Sequence, residues 1–199
     1  MTASSPQSSQ SVGFLTVCEY ESQGLFGGYL ILNTSGRPLE FHCTAPVRPN
    51  RAQEILYGAT LQAYLHGEQI GQALLEKAKT APLVVFTDAP AVLAVRNFVS
   101  LPVACVMPAA EELSPDRSGT AGQLRRDEGC AGPPVPFALR LHTFRVGNQR
   151  LSILEDHRED AETITKRWEP LAADFDLREP FGRIREAVDE ARRSATRTP

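Results

Sequence analysis

Apolar and polar residues along this chain alternate with two different periods, and the switches between them divide it into strands and helices. PLEFHC, residues 38 to 43, has a period of two: Leu39, Phe41 and Cys43 share one face, and Glu40 and His42 share the other. It reads as a strand that buries the Leu39, Phe41 and Cys43 face. VGFLTVCEY at 12 to 20 and GGYLILN at 27 to 33 precede it as an antiparallel pair, and Asn33-Thr34-Ser35-Gly36 supplies a turn. PLVVFTD at 82 to 88 and LPVACVM at 101 to 107 are short unbroken apolar runs suited to buried strands. With AVLAVRNF at 91 to 98 read as a helix between them, they form a strand-helix-strand parallel crossover. PFALRLHTFRV and RLSILED, separated by Gly147-Asn148-Gln149, form a later hairpin.

Helix signals are equally local. Pro46 and Pro49 keep their segment extended, Asn50 is a favourable N-cap, and Gln53 follows at the spacing of a capping box, so a helix starts at Arg51. Ala52, Ile55, Leu56, Ala59 and Ala63 recur at helical spacing and predict a buried stripe. Gly67 and Gly71 predict a break there, or a second helix through GQALLEKA. Two helices close the chain, from about Arg158 to Trp168 and from Pro180 to about Arg193; Phe181, Ile184, Val188 and Ala191 form the apolar stripe of the second. The expected fold class is α/β: a mixed sheet with an N-terminal antiparallel hairpin, a strand-helix-strand crossover, and a C-terminal hairpin plus helices. Residues 12 to 193 form one domain. Polar or charged stretches at 1 to 11, about 108 to 134 and 194 to 199 read as a disordered tail, a flexible insertion and a second disordered tail.

Composition narrows the function classes. The chain has 199 residues, 42% hydrophobic and 23% charged, which is an ordinary globular balance and enough length for one real core. A net charge of -3 provides no general attraction to nucleic acid or acidic membranes. Its polar start lacks a secretory apolar run and no segment reaches membrane-spanning length, so a soluble cytoplasmic protein is expected. Cys18, Cys43, Cys105 and Cys130 are widely separated with no zinc-ligand spacing. They read as reduced thiols, three of them as small buried hydrophobes; Cys130, in the polar insertion, is the expected exposed one.

Candidate chemistry centres on FHCTAPVRPN, residues 41 to 50. Cys43 beside His42 suggests a nucleophile and base, but neighbouring strand side chains diverge, so Cys43 would need another base. Arg48, Asn50 and Arg51 surround a helix start whose free N–H groups favour a small anionic ligand. The alternative is a plain cap, with the arginines solvated or paired with Glu40. Asp88 ends a buried strand, where α/β sheets gather their sites, or else caps the next helix. EDHREDAE at 155 to 162 reads as an acidic helix entrance, and Arg183, Arg185, Arg192 and Arg193 as a solvated helix surface.

Ala52-Gln53-Glu54 at a helix start, and Pro90-Ala91-Val92-Leu93-Ala94 after a strand, resemble the [HC]-A-E and P-C-x-x-C motifs of the cytidine deaminase-like fold. The order hairpin, helix, strand, helix, strand is similar too. The resemblance puts Glu54 in the proton-shuttle place, but alanines at 52, 91 and 94 replace all three zinc ligands. A zinc deaminase is thereby disfavoured, because alanine cannot hold the metal that activates water. The expectation is a cytoplasmic binding or interaction protein without metal or cofactor, engaging a protein partner or itself in preference to nucleic acid. The alternative is an enzyme using Cys43 or Glu54 near the helix start.

Overall fold

A computed structural model describes residues 10–107, 139–172 and 175–197. Its centre is a seven-stranded sheet in the order β3-β2-β1-β4-β5-β7-β6. The strands are β1 (Ser11–Tyr20), β2 (Gly24–Asn33), β3 (Pro38–Cys43), β4 (Val85–Thr87), β5 (Val103–Val106), β6 (Leu141–Val146) and β7 (Gln149–Leu154). β1, β2 and β3 pair antiparallel, β1 pairs parallel with β4 and β4 with β5, and β5 and β6 pair antiparallel with β7. This is the expected α/β class with a mixed sheet, including both hairpins and the parallel crossover.

The helices are α1 (Arg51–Tyr57), α2 (Leu61–Ala63), a π-helical segment Tyr64–Gln72, α3 (Ala73–Lys77), a 3₁₀ helix Pro90–Asn97, α4 (Glu159–Trp168) and α5 (Glu179–Arg197). Alternation along β1 and β2 feeds two cores. Phe14, Phe26, Leu30 and Leu32 face α4 and α5, joined by Phe86, Trp168, Phe181 and Ile184. Leu15, Leu25, Tyr29 and Ile31 face the opposite layer, with Leu65, Ile70, Leu74 and the 3₁₀ residues Val92, Leu93 and Val95. Edge and tilted aromatic contacts, such as Phe86 to Trp168 at 5.0 Å and Phe14 to Phe181 at 5.6 Å, fill the first core.

The pair Gly27-Gly28 is where both layers come closest to the sheet. A Cβ on Gly27 would lie 2.1 Å from the Ile70 Cγ2 atom, and one on Gly28 would lie 2.3 Å from Ile184 Cγ2. No larger residue fits at either position without moving a helix. Gly67 acts likewise: its missing Cβ would fall 2.8 Å from that of Ala94. Gly67 and Gly71 therefore sit inside a continuous helical run and do not break it. The interruption falls earlier, at Gly58, which ends α1 with a φ of 46°.

Three expectations are corrected, two of them on burial. β3 is an edge strand, and α5 packs over β1 and β2, so Leu39 and Phe41 are exposed while Glu40 and His42 are half-buried on the other face. α1 buries no residue: Ile55 is 66% and Leu56 81% exposed, because the close packing that would cover such a stripe begins only with the π-helical segment. α5 continues to Arg197, past the expected end at 193. The expected insertion at 108 to 134, and nearly all of the expected tail at 1 to 11, lie outside the described residues. Among the described residues no helix is long and apolar enough to cross a membrane.

Candidate functional site

The chain leaves β1 for β2 and β3 on one side, then returns to lay β4 and β5 on the other. Strand order therefore reverses between β1 and β4, and the crevice beyond their carboxyl ends is where open α/β sheets hold ligands. Thr16 of β1 and Asp88, just past β4, meet there: Thr16 Oγ1 donates to Asp88 Oδ1 at 2.6 Å. Arg185 of α5 donates to Asp88 Oδ2 in an ion pair. Asp88, Val106, Arg178, Phe181 and Arg185 line a small cavity of about 260 Å³. Asp88 does not cap the next helix, whose N-cap is Ala89 and which has no side-chain capping bond; Thr87 Oγ1 accepts from the Ala89 N–H at 3.1 Å.

Other polar groups continue along the same face of β1. Cys18 lies two residues beyond Thr16, and burial pushes its thiol up, against the pull of Arg185 and with the help of Asp88 and Asp189. Tyr20 donates to Asp189 Oδ1 at 2.7 Å while the Arg192 guanidinium lies 4.5 Å from its ring centroid. Burial first, and then the bond to Asp189, push the Tyr20 hydroxyl up to about 12. Cys105 is likewise pushed up to about 12 by burial. One neutralised carboxylate among thiols held protonated offers a fixed polar seam, with no thiolate beside a base. Among the described residues no three of His, Cys, Asp and Glu gather to hold a metal ion.

The remaining sequence candidates scatter. Cys43 pairs with Gly28 at the end of β3 and packs against the α5-side core. His42 faces the other way, 3.0 Å from Glu40, so the two form no dyad. Arg48 donates to the carbonyls of Gln23, at 2.8 Å, and Ser22, fastening the β1–β2 turn. Asn50 forms the expected capping box with Gln53. Arg51 pairs with Glu54 at 2.9 Å on the exposed side of α1. None of Cys43, Arg48, Asn50, Arg51 or Glu54 lines the Asp88 cavity. α1 also has seven residues only, too short to build a strong dipole at its start. Cys130 lies outside the described residues.

The arginines of α5 correct another expectation. Arg185 and Arg192 reach the ends of the sheet, and Arg183 donates to the Gly36 carbonyl at 3.2 Å, so this face is not merely solvated. The sequence marks Thr16 and Arg185 by position, though not as partners of Asp88. Thr16 follows Phe14 on an inward face, and Arg185 follows Ile184 beside an apolar stripe.

No protein-family model matches the sequence, and no curated protein matches it. Among the solved structures that match is that of human ENDOV, at a TM-score of 0.40 and 14% identity, covering 96% of this chain and 87% of that one. That likeness is too low to bear on activity.

Proposed function

We propose that the chain is a cytoplasmic binding or interaction protein that works without a catalytic metal and associates with a second copy of itself through α1. The observation that carries this reading is Ile55 and Leu56, which stand 66% and 81% exposed on a helix with no buried residue. Exposed large apolar side chains gathered in one stretch mark contact surfaces more often than chance positions do. Among the described residues the exposed large hydrophobics are Leu39, Phe41, Ile55, Leu56 and Phe98, so four of the five fall within residues 39 to 56. Leu39 and Phe41 lie on β3, whose outer edge is open to pairing.

The enzyme alternative, with Cys43 or Glu54 as the reacting group, has less support. Glu54 is tied to Arg51, and Cys43 has no base on its own face of β3. The alanines at 52, 91 and 94, which the deaminase resemblance places at ligand positions, accord with a metal-free binding role. A photoreactive benzophenone side chain placed at Leu56 in the purified chain tests the proposal. Irradiation yields a covalent dimer if α1 is the contact, while the same group at Arg193 yields none. Absence of dimer from position 56 contradicts it.

A further inference from the structure

A second cavity lies at the opposite, amino-terminal ends of β4 and β5, and it is larger than the one at Asp88. It has a volume of about 640 Å³, within the usual range for small-molecule sites. Tyr29 lines it, with the segments 78–82 and 99–102 and the α4 residues Asp160, Thr163 and Arg167. A hollow of about 480 Å³ shares Thr163 and Arg167 and adds Lys166.

Charge-assisted hydrogen bonds fix the lining segments in place. Glu40 on β3 reaches across to accept from the Lys79 N–H at 3.0 Å, the Thr80 N–H at 2.7 Å and the Thr80 hydroxyl. Those bonds hold the carboxyl well below its ordinary range. On the other side Arg96 donates to both oxygens of buried Asp160, at 2.6 and 3.2 Å, and to the Val99 carbonyl at 2.7 Å. One guanidinium thus ties the 99–102 segment to α4. Walls held in this way keep a cavity formed before any ligand arrives.

The same bonds decide which charge the cavity offers. Asp160 is neutralised by Arg96, and Glu76 accepts from the Gln72 amide at 2.7 Å. Arg167 uses one donor on the Leu83 carbonyl, at 3.1 Å, out of the five a guanidinium carries. Lys79 forms no ion pair among the described residues. Lys79 and Arg167 together outweigh Glu76, the exposed lining carboxylate that has no cationic partner among the described residues, and they stand beside the hydroxyls of Thr80, Ser100 and Thr163 and the apolar surface of Tyr29, Leu75 and Leu101. We infer that this cleft binds a small organic anion: a carboxylate or phosphate monoester head held by Lys79 and Arg167, on an apolar body laid against Leu75 and Leu101.

Two-dimensional amide NMR of the whole chain, titrated with benzoate and separately with phenyl phosphate, tests this. Saturable shifts are expected at Thr80, Ser100 and Thr163, with either probe or both; the stronger one identifies the head group. Inorganic phosphate and benzyl alcohol, each carrying half the chemistry, bind at least about tenfold more weakly. Lys79→Gln with Arg167→Gln weakens binding by at least about tenfold while leaving the far-field amide spectrum unchanged. Because Arg167 also contacts Leu83, Ser100→Trp serves as an independent variant that fills the cavity and abolishes the shifts. Absence of localised shifts up to about 10 mM probe, or equal binding by the charge variant and the wild type, overturns the assignment. So does equal binding by Ser100→Trp.

Discussion

Arg185 of α5 closes its guanidinium on Asp88, the carboxylate just beyond β4, across 97 positions of sequence. The contact joins the C-terminal helix to the point where strand order reverses, and Thr16 completes the partners of the carboxylate from β1. The carboxylate is thereby held in an ion pair at the edge of the cavity.

The strength of that pair follows from its exposure, 21% for the Asp88 side chain and 50% for Arg185. Partly exposed pairs contribute about 0.5–1 kcal/mol and weaken with salt. Arg185→Met should lower unfolding free energy by about that amount in low-salt urea titrations. Asp88→Ala should lower it by about 1–2 kcal/mol because Thr16 also loses its acceptor. A double-mutant cycle that shows no Asp88–Arg185 coupling at low salt would contradict the pairing.

Arg96 and Asp160 differ in kind, with side chains only 15% and 5% exposed. Asp160→Ala strands a guanidinium in the interior, and removing one member of a buried pair costs about 3–5 kcal/mol. Replacing both, as Asp160→Ala with Arg96→Met, should recover a substantial part, since no charge is then left unpaired. Chemical denaturation checks both values, and a double variant no more stable than Asp160→Ala would be the contrary result.

The bonds to Glu40 give the fold an acid limb. Thr80 first, then Lys79 and His42, lower the carboxyl from its ordinary 4.5 to about 2. A depressed acid contributes stability that is fully present above the ordinary value and is lost as pH falls through the folded one. Stability of the wild type should therefore decline between pH 4.5 and about 2, and Glu40→Gln should flatten that decline. Parallel pH–stability curves for the two proteins would argue against the three-bond anchor.

Much of the fold was legible because its signals are local. Alternation in VGFLTVCEY and GGYLILN, the Asn50–Gln53 capping box, and the turn at Gly147 each act within a few residues. Burial was less legible, because it depends on which strand ends at the edge. The pattern Leu39, Phe41, Cys43 is that of a covered face, yet β3 has no helix over Leu39 and Phe41. Glycine at 67 and 71 reads as a helix breaker alone and as a close-packing device once Ala94 and Val95 lie against it. Of the candidate site residues, Asp88 was visible from its place after a buried strand. Its partner Arg185 was not, because no periodicity links positions 97 apart. Arg48 and Glu54 drew attention by residue type, and both prove to be engaged by near neighbours in space or in sequence.

The central claim, that α1 is a contact surface between copies, is tested most directly by sedimentation velocity over a range of concentrations. The wild type should shift from monomer toward dimer as concentration rises. Ile55→Asp with Leu56→Asp, on a helix that contributes nothing buried to the core, should weaken association by at least about tenfold without changing thermal stability. A wild type that stays monomeric throughout, or a variant that associates as strongly as the wild type, would contradict the claim.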